Sequence, residues 1–444
     1  MLSYLKKKEF TSAQFLVLGY FIVIFTGTIL LMLPLATTAE GSIGFLNALF
    51  TSTSATCVTG LIVVNTSTAF TVFGQLVIMF LIQIGGIGIM TMSSLIALVI
   101  GRKIGLKERL LIKDDLDHLQ MSGMVRLVKY VLTFTFVIEG TAALILFIRF
   151  IFDYSIWRAL YLAIFHSVSA FNNAGFDLFG NSLEGFTGDI IVNFVIMALI
   201  VLGGIGFAVM AEIYDNKSIR KFTLQTKMVL IFTLLLIVIG FLSFLFLEYN
   251  NQATIGNLPF GEKLLASLFL SITPRTAGFN TVPTGQLQSS TLFLTIILMF
   301  IGASPGSTGG GIKTTTFGVL LMTVWNLIKG NDDIEVFKRR LEKDIVFKAV
   351  VTTFLALILV IVVTMILSIT EGKAFISIMF ETVSAFGTVG LSTGITSTLS
   401  RIGKALITFT MFVGRVGPLT LAMALAERTR KGVYHYPKEN IMVG

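Results

Sequence analysis

Four glycines, Gly60, Gly175, Gly278 and Gly390, each end a short amphipathic segment and precede a long apolar one, about a quarter of the chain apart. A residue with no side chain, recurring at that spacing, points to chemistry done by the main chain. Glycine permits the positive φ values that aim successive carbonyls at one axis, and carbonyl oxygens can replace the water around a dehydrated cation without a buried countercharge. Four copies would supply a ring of such oxygens. The segments are Ala48 to Leu61 (ALFTSTSATCVTGL), Ala163 to Phe176 (AIFHSVSAFNNAGF), Ala266 to Phe279 (ASLFLSITPRTAGF) and Ile378 to Leu391 (IMFETVSAFGTVGL). Phe50, Ser52 and Ser54 of the first fall on Phe165, Ser167 and Ser169 of the second, and Phe380, Val383, Ser384, Ala385 and Phe386 of the fourth match the second as well. The third is the most diverged, keeping mainly Ala277, Gly278 and Phe279. A single copy would read as a turn glycine between a short helix and a loop; four copies in one context favour the ring.

The elements that must position these glycines are set by composition. Of 444 residues, 55% are hydrophobic and only 13% charged, against about 25% in ordinary globular chains. This is the composition of a membrane protein. Apolar stretches long enough to span occur at Gln14 to Leu33, Val72 to Ile100, Val125 to Phe152, Ile190 to Met210, Lys227 to Leu247, Ile345 to Thr370 and Gly403 to Ala426. An eighth starts near Ser290, breaks at Gly302 to Lys313 and resumes from Thr314 to Ile328. The glycine segments are too polar and too short to cross. The fold expected is therefore all-α and integral to the membrane: four tandem helix–pore helix–helix repeats, with eight spanning helices and four re-entrant pore segments in pseudo-fourfold symmetry around a central pore. The repeats cover 1–110 (pore segment 45–62), 111–222 (158–177), 223–340 (262–281, with a broken second helix at 302–313) and 341–444 (374–392). Non-helical backbone is tolerated at membrane depth only where protein buries it or water reaches it, which implies a shared aqueous cavity.

Most of the 33 Lys and Arg lie before the first helix of a repeat or after its last, so both termini are expected in the cytoplasm, with the four segments entering from outside. The same asymmetry explains the net charge of +9 and argues against a nucleic-acid partner. The first apolar run exceeds a signal-peptide core and reads as a retained opening helix. Cys57 is the only cysteine and forms no intramolecular disulfide. The connection from Gly101 to Met124 is too short for a soluble domain, so any nucleotide sensor must be another polypeptide. No HExxH or paired membrane aspartates occur, and His166, the one histidine in a pore helix, reads as a packing residue; the chain is not expected to be an enzyme or to carry a cofactor.

The pore helices aim the negative ends of their dipoles at the cavity, which favours cations. The fourth segment reads Thr388-Val389-Gly390, the opening of the potassium-channel filter sequence. Each segment has one glycine where that filter has two, implying fewer complete ion sites and looser selectivity.

The chain resembles the membrane subunits of the Trk/Ktr/HKT superfamily of potassium transporters, closest to the Ktr type, over essentially its whole length. The resemblance rests on the four glycines, Pro274-Arg275-Thr276-Ala277-Gly278-Phe279-Asn280, the runs Gly85-Gly86-Ile87-Gly88 and Gly203-Gly204-Ile205-Gly206, Gly414-Arg415-Val416-Gly417-Pro418, and the glycine-rich break in repeat three. It implies a potassium pore through each subunit of a homodimer in the plasma membrane, with a cytoplasmic ring of separate nucleotide-binding regulatory subunits. Glycine at all four positions is that family's potassium-type pattern, and sodium dependence stays open. The implied filter backbone is Cys57, Val58, Thr59 and Gly60; Asn172, Asn173, Ala174 and Gly175; Arg275, Thr276, Ala277 and Gly278; and Gly387, Thr388, Val389 and Gly390.

The run GASPGSTGGGIK at Gly302 to Lys313 stands where the other repeats are expected to continue as helix. It lacks the Gly-Lys-Ser/Thr of a phosphate loop, because Ile312 separates Gly311 from Lys313. A kinked helix is the plain alternative. By resemblance it is a mobile loop under the filter, with Gly309, Gly310, Gly311 and Lys313 as gate residues, obstructing the pore until the partner ring pulls the attached helices. Arg415 would face the pore inside the filter, with an ion pair to a buried acid as its rival role. Arg275 and Glu381 are read as a pair bracing the filter from behind, with a solvated charge at the mouth as the alternative for each. Glu139, inside a spanning helix, has no evident partner in the sequence. A secondary transporter binding a solute, or a sodium-coupled cation symporter, at broken helices is the alternative function.

Overall fold

The computed structural model describes residues 11–38, 41–89, 91, 124–331, 333–425, 437 and 439. The expected placement of the termini and of the connection 101–123 lies outside them. The described chain is mostly helical, with one two-stranded hairpin at Glu335–Arg340, and its helices are taken below in four consecutive quarters. Each quarter has an opening helix, a short helix and a second long element. The first has α1 (Ser12–Met32), α2 (Phe45–Thr56) and α3 (Val72–Ile87); the second has α4 (Met124–Phe150), α5 (Ile156–Phe171), α6 (Ile190–Ile205) and α7 (Phe207–Asp215). The third has α8 (Leu224–Glu248), α9 (Phe260–Ile272), α10 (Ser289–Phe300) and α11 (Thr314–Ile328); the fourth has α12 (Lys343–Thr370), α13 (Phe375–Gly387), α14 (Arg401–Val416) and α15 (Pro418–Leu425).

Among the described residues, the four opening helices are the ones long and apolar enough to cross a membrane alone. Starts are marked by short polar side chains: Thr11, Thr71, Asp189, Thr223 and Ser400 each accept an N–H from the first turn of the helix they precede. Each opening helix packs on its own short helix. The second element of each quarter packs on the next quarter's short helix: α3 on α5, α6 on α9, α10 on α13, and α14 back on α2. The arrangement thus closes on itself. Phe50, Phe165, Phe269 and Phe380, one per short helix, are fully buried in these contacts.

The second helices depart from expectation. The sequence reads 190–210 and 403–426 as continuous, yet α6 and α7 meet at 94°, as do α14 and α15. The corners are Gly206 at φ 96° and Gly417 at φ 92°, and Gly88 at φ 91° ends α3 likewise. Hydropathy hides these corners because the residues on both sides are apolar. Glycine supplies the left-handed φ that stops the helix, and Pro418, which has no N–H, starts α15 where a first-turn N–H would find no partner within the helix. Among the described residues the second elements of quarters two, three and four are broken, the third most extensively.

The third quarter also hides its kinship. Phe269, Ser271 and Thr273 stand 219 residues after Phe50, Ser52 and Ser54, whereas Gly278 stands 218 after Gly60. One residue is missing between helix and glycine, which defeats a gapless comparison. The side chains confirm the match: Ser52 donates to Ile24 O (2.7 Å), Ser167 to Glu139 O (2.7 Å) and Ser271 to Ile237 O (2.6 Å), pinning each short helix to its opening helix.

Candidate functional site

The four glycines meet. A Cβ on Gly60 would lie 2.5 Å from Ala174 O, one on Gly175 2.8 Å from Ala277 O, and one on Gly278 2.6 Å from Val389 O; on Gly390 it would strike Thr59 O. Each glycine therefore abuts the carbonyl preceding the next glycine, and the fourth returns to the first. All four have positive φ, at 91°, 68°, 76° and 91°. Any side chain here meets backbone as well as a conformation it resists.

The residue two before each glycine is left-handed too, and none is glycine: Val58 (φ 56°), Asn173 (59°), Thr276 (72°) and Thr388 (50°). Each costs about 1–2 kcal/mol relative to a relaxed backbone, so surrounding bonds must hold it. Those bonds repeat. Thr59 N donates to Ser54 O (2.7 Å), Ala174 N to Ser169 O (2.7 Å), Ala277 N to Thr273 O (3.0 Å) and Val389 N to Ser384 O (2.8 Å). The hydroxyls at the same places finish the turn: Ser54 and Ser384 accept from Gly60 N and Gly390 N at 3.1 Å, Ser169 donates to Phe176 O at 2.7 Å, and Thr273 donates to Phe279 O. This left-handed position is a feature that the sequence does not announce, since no glycine marks it.

The second elements approach through their paired glycines. A Cβ on Gly85, Gly203 or Gly414 would run into Thr56 O, Phe171 O or Phe386 O, the carbonyls where the short helices end. On one side of the ring a cavity of about 440 Å³ touches all four glycines, and its charged lining residues, Asp177 and Glu184, are both acidic. Asp177 accepts from Phe179 N and Gly180 N; Glu184 accepts from Asn280 Nδ2 at 2.8 Å. Burial raises the Glu184 pKa, neighbouring Asp177 raises it further, and the Asn280 bond opposes both.

The other side of the ring is met by residues 301–313. This stretch folds back on itself, with Gly302 N to Ile312 O at 2.8 Å and a parallel bridge between Ile301 and Ile312. Gly310 N donates to Thr388 Oγ1 at 2.9 Å, Gly309 lies against Thr276, and Lys313 Nζ donates to Gly309 O at 2.9 Å. Three further backbone bonds tie the loop to the corner between α6 and α7: Ser304 N to Gly204 O (3.0 Å), Thr308 N to Gly203 O (3.2 Å) and Phe207 N to Gly306 O (2.9 Å). Arg415 reaches it from α14. Its guanidinium donates to Thr308 O in the loop, to Gly85 O at the end of α3, and to the Tyr20 hydroxyl at 3.2 Å. Among the described residues Arg415 has no ion pair with an acid, and the partners of its guanidinium are neutral oxygens.

The expected pairing of Arg275 with Glu381 is also not found. Arg275 donates to Thr233 O (3.3 Å) and Thr233 Oγ1 (3.2 Å) of α8, while Glu381 accepts from the Thr396 hydroxyl. Both are buried, and among the described residues each is hydrogen-bonded only by neutral groups in its own quarter, with Arg275 Nε and Glu381 Oε2 left without a partner. Glu139, partnerless in the sequence, accepts from Asn172 Nδ2 at 2.9 Å. His166 is held within the core: its Nδ1 meets Leu162 O at 2.7 Å and its Nε2 accepts from Leu178 N at 3.3 Å, leaving no nitrogen for catalysis.

Residues 6–432 match the family model described as TrkH, a cation transport protein. The chain is 45% identical to Ktr system potassium uptake protein B of Bacillus subtilis (strain 168), covering 99% of this chain and 98% of that one. It is 40% identical to potassium/sodium uptake protein NtpJ of Enterococcus hirae, again covering 99% and 98%. Among solved structures it is similar to the potassium transporter TrkH of Vibrio parahaemolyticus, with a TM-score of 0.73 over 95% of this chain and 86% of that one; at 19% identity the likeness speaks for the fold alone.

Proposed function

The chain belongs to the TrkH family of cation transport proteins and is a potassium-transporting membrane subunit of the Ktr kind, and from that premise we propose that the ring of glycine segments is its ion filter. The carrying observation is the closed circuit of contacts in which Gly60, Gly175, Gly278 and Gly390 each abut the next segment's carbonyl. Successive main-chain oxygens at such a ring replace the hydration shell of a potassium ion, and the ends of four short helices face it with partial negative charge. The acidic mouth draws cations toward the ring. The filter atoms are the backbone oxygens of the four tetrapeptides ending in the ring glycines.

Residues 301–313 act as the gate, with Gly309, Gly310, Gly311 and Lys313 at the ring and Arg415 as the latch holding the loop shut. Four repeats with the boundaries given above, eight crossings, cytoplasmic termini, a homodimer in the plasma membrane and a cytoplasmic regulatory ring complete the reading. The naming of the Bacillus relative as one component of a Ktr system supports a partner subunit. Sodium-coupled uptake is a second reading, favoured by the Enterococcus relative's name as a potassium/sodium uptake protein.

The test is rubidium uptake, with sodium as competitor, in cells lacking their own potassium uptake systems. Gly390→Ser should lose potassium preference while reaching the membrane in parental amounts. An unaltered ion profile refutes the filter.

A further inference from the structure

We propose that Glu139 is a positioning residue for ion discrimination: from α4 it holds the side chain of Asn172 and so fixes the second of the four glycine segments. The inference rests on the filter reading above. Glu139 is buried, at the middle of a helix of membrane-spanning length. The internal repetition shows what packing alone would place there. The carbonyls of Ile24, Glu139 and Ile237 receive the same serine hydroxyl bond in quarters one, two and three, so Glu139 occupies a position where its two counterparts are isoleucine. A carboxyl at that depth is costly, and isoleucine already serves the packing.

What the carboxyl adds is a hold on the filter segment. Asn172 Nδ2 lies 2.9 Å from Glu139 Oε1, 3.0 Å from Gln83 Oε1 and 2.9 Å from Val168 O. Two hydrogens face three acceptors on α4, α3 and α5, so the amide is gripped from three helices. Gln83 Nε2 also faces Glu139 Oε2, at 3.4 Å. Asn172 ends α5, Asn173 takes the left-handed turn at φ 59°, and Gly175 follows. Gripping Asn172 therefore sets where the segment leaves its helix.

The same place in the third quarter is Arg275, which is tied to Thr233 of its own opening helix. In the first and fourth it is Cys57 and Gly387, which have no comparable arm. Two adjacent segments are thus anchored outward and two are not. Sodium is smaller than potassium and is favoured when carbonyls can close in; an outward anchor opposes that closure.

The experiment measures sodium inhibition of rubidium uptake by the full chain in cells lacking their own potassium systems, with membrane amounts quantified. Glu139→Leu should lower the rubidium-to-sodium preference about tenfold. Glu139→Gln, which keeps an acceptor for the Asn172 amide, should retain most of it. Asn172→Leu should reproduce the loss, and the double variant Glu139→Leu/Asn172→Leu should be no worse than either single one. Glu139→Leu at parental amounts with unchanged preference overturns the proposal, as does a Glu139→Gln loss as large as that of Glu139→Leu, which would make charge rather than position the determinant. Should Glu139→Leu not reach the membrane, Glu139→Asp, whose shorter arm withdraws from Asn172, and Asn172→Leu decide the matter: normal preference in both refutes it. Gly390→Ser run alongside separates the two readings, because a filter that does not discriminate through its glycines would leave that variant unchanged as well.

Discussion

Removing the Arg415 side chain should open the gate. The guanidinium bonds at once to Thr308 O in the loop, to Gly85 O on α3 and to the Tyr20 hydroxyl on α1. Of these, the bond to Thr308 must break if the loop leaves the ring. A hydrogen bond from a charged donor contributes about 1.5–3 kcal/mol, so Arg415→Ala should raise the open fraction by about 10- to 150-fold where the closed state dominates. The gain in flux is capped once the filter itself limits the rate. The assay is initial rubidium uptake, with and without the cytoplasmic partner, normalised to protein in the membrane. Arg415→Lys separates latch from charge: lysine keeps the positive charge but lacks the planar fork that spans three oxygens. If the latch matters, Arg415→Lys should also raise uptake without the partner, and less so with it. Parental uptake in Arg415→Ala at normal membrane amounts refutes the reasoning, and parental uptake in Arg415→Lys with raised uptake in Arg415→Ala assigns the effect to charge.

Deleting Gly309 to Gly311 withdraws the part of the loop that meets Thr276 and Thr388, and rubidium flux without the partner should rise; unchanged flux removes the loop from gating. Gly60→Ala places a methyl 2.5 Å from Ala174 O at φ 91°, so discrimination between rubidium and sodium should fall by at least as much as in Gly390→Ser, read in the same competition assay. Glu184 supplies a pH dependence at the mouth. Its pKa is raised, so acidification neutralises it earlier than an ordinary glutamate, and rubidium uptake at low external rubidium should fall as pH drops, a fall absent in Glu184→Gln. The sign of the stability effect is opposite: a carboxyl with a raised folded-state pKa favours the folded state as pH falls, so unfolding does not account for that loss.

Much of this site was legible in the sequence because it is repeated. Four glycines at similar spacing outweigh what any one could mean, and the Gly and Ser content of 302–313 cannot sustain a helix. The corners at Gly206 and Gly417 were missed because hydropathy reports which residues avoid water and not where the axis turns. Val58, Asn173, Thr276 and Thr388 carry no signal at all: their left-handed backbone is imposed by hydrogen bonds to the ends of the short helices, and β-branched residues would argue against it. Arg275 and Glu381 sit in neighbouring quarters, but each turns to its own quarter for a partner, which the sequence order of the segments does not reveal. Thr233 and Thr396, the neutral residues that bond to them, attract no notice in a search for opposite charges.

The order in which the glycines lean on their neighbours gives damage here a direction. In all four the tightest contact of an added side chain is with the next quarter: Gly60 with Ala174 O, Gly175 with Ala277 O, Gly278 with Val389 O and Gly390 with Thr59 O. Second-site revertants of a lesion at one glycine should accordingly arise one quarter further round, near Ala174 for Gly60 and near Thr59 for Gly390.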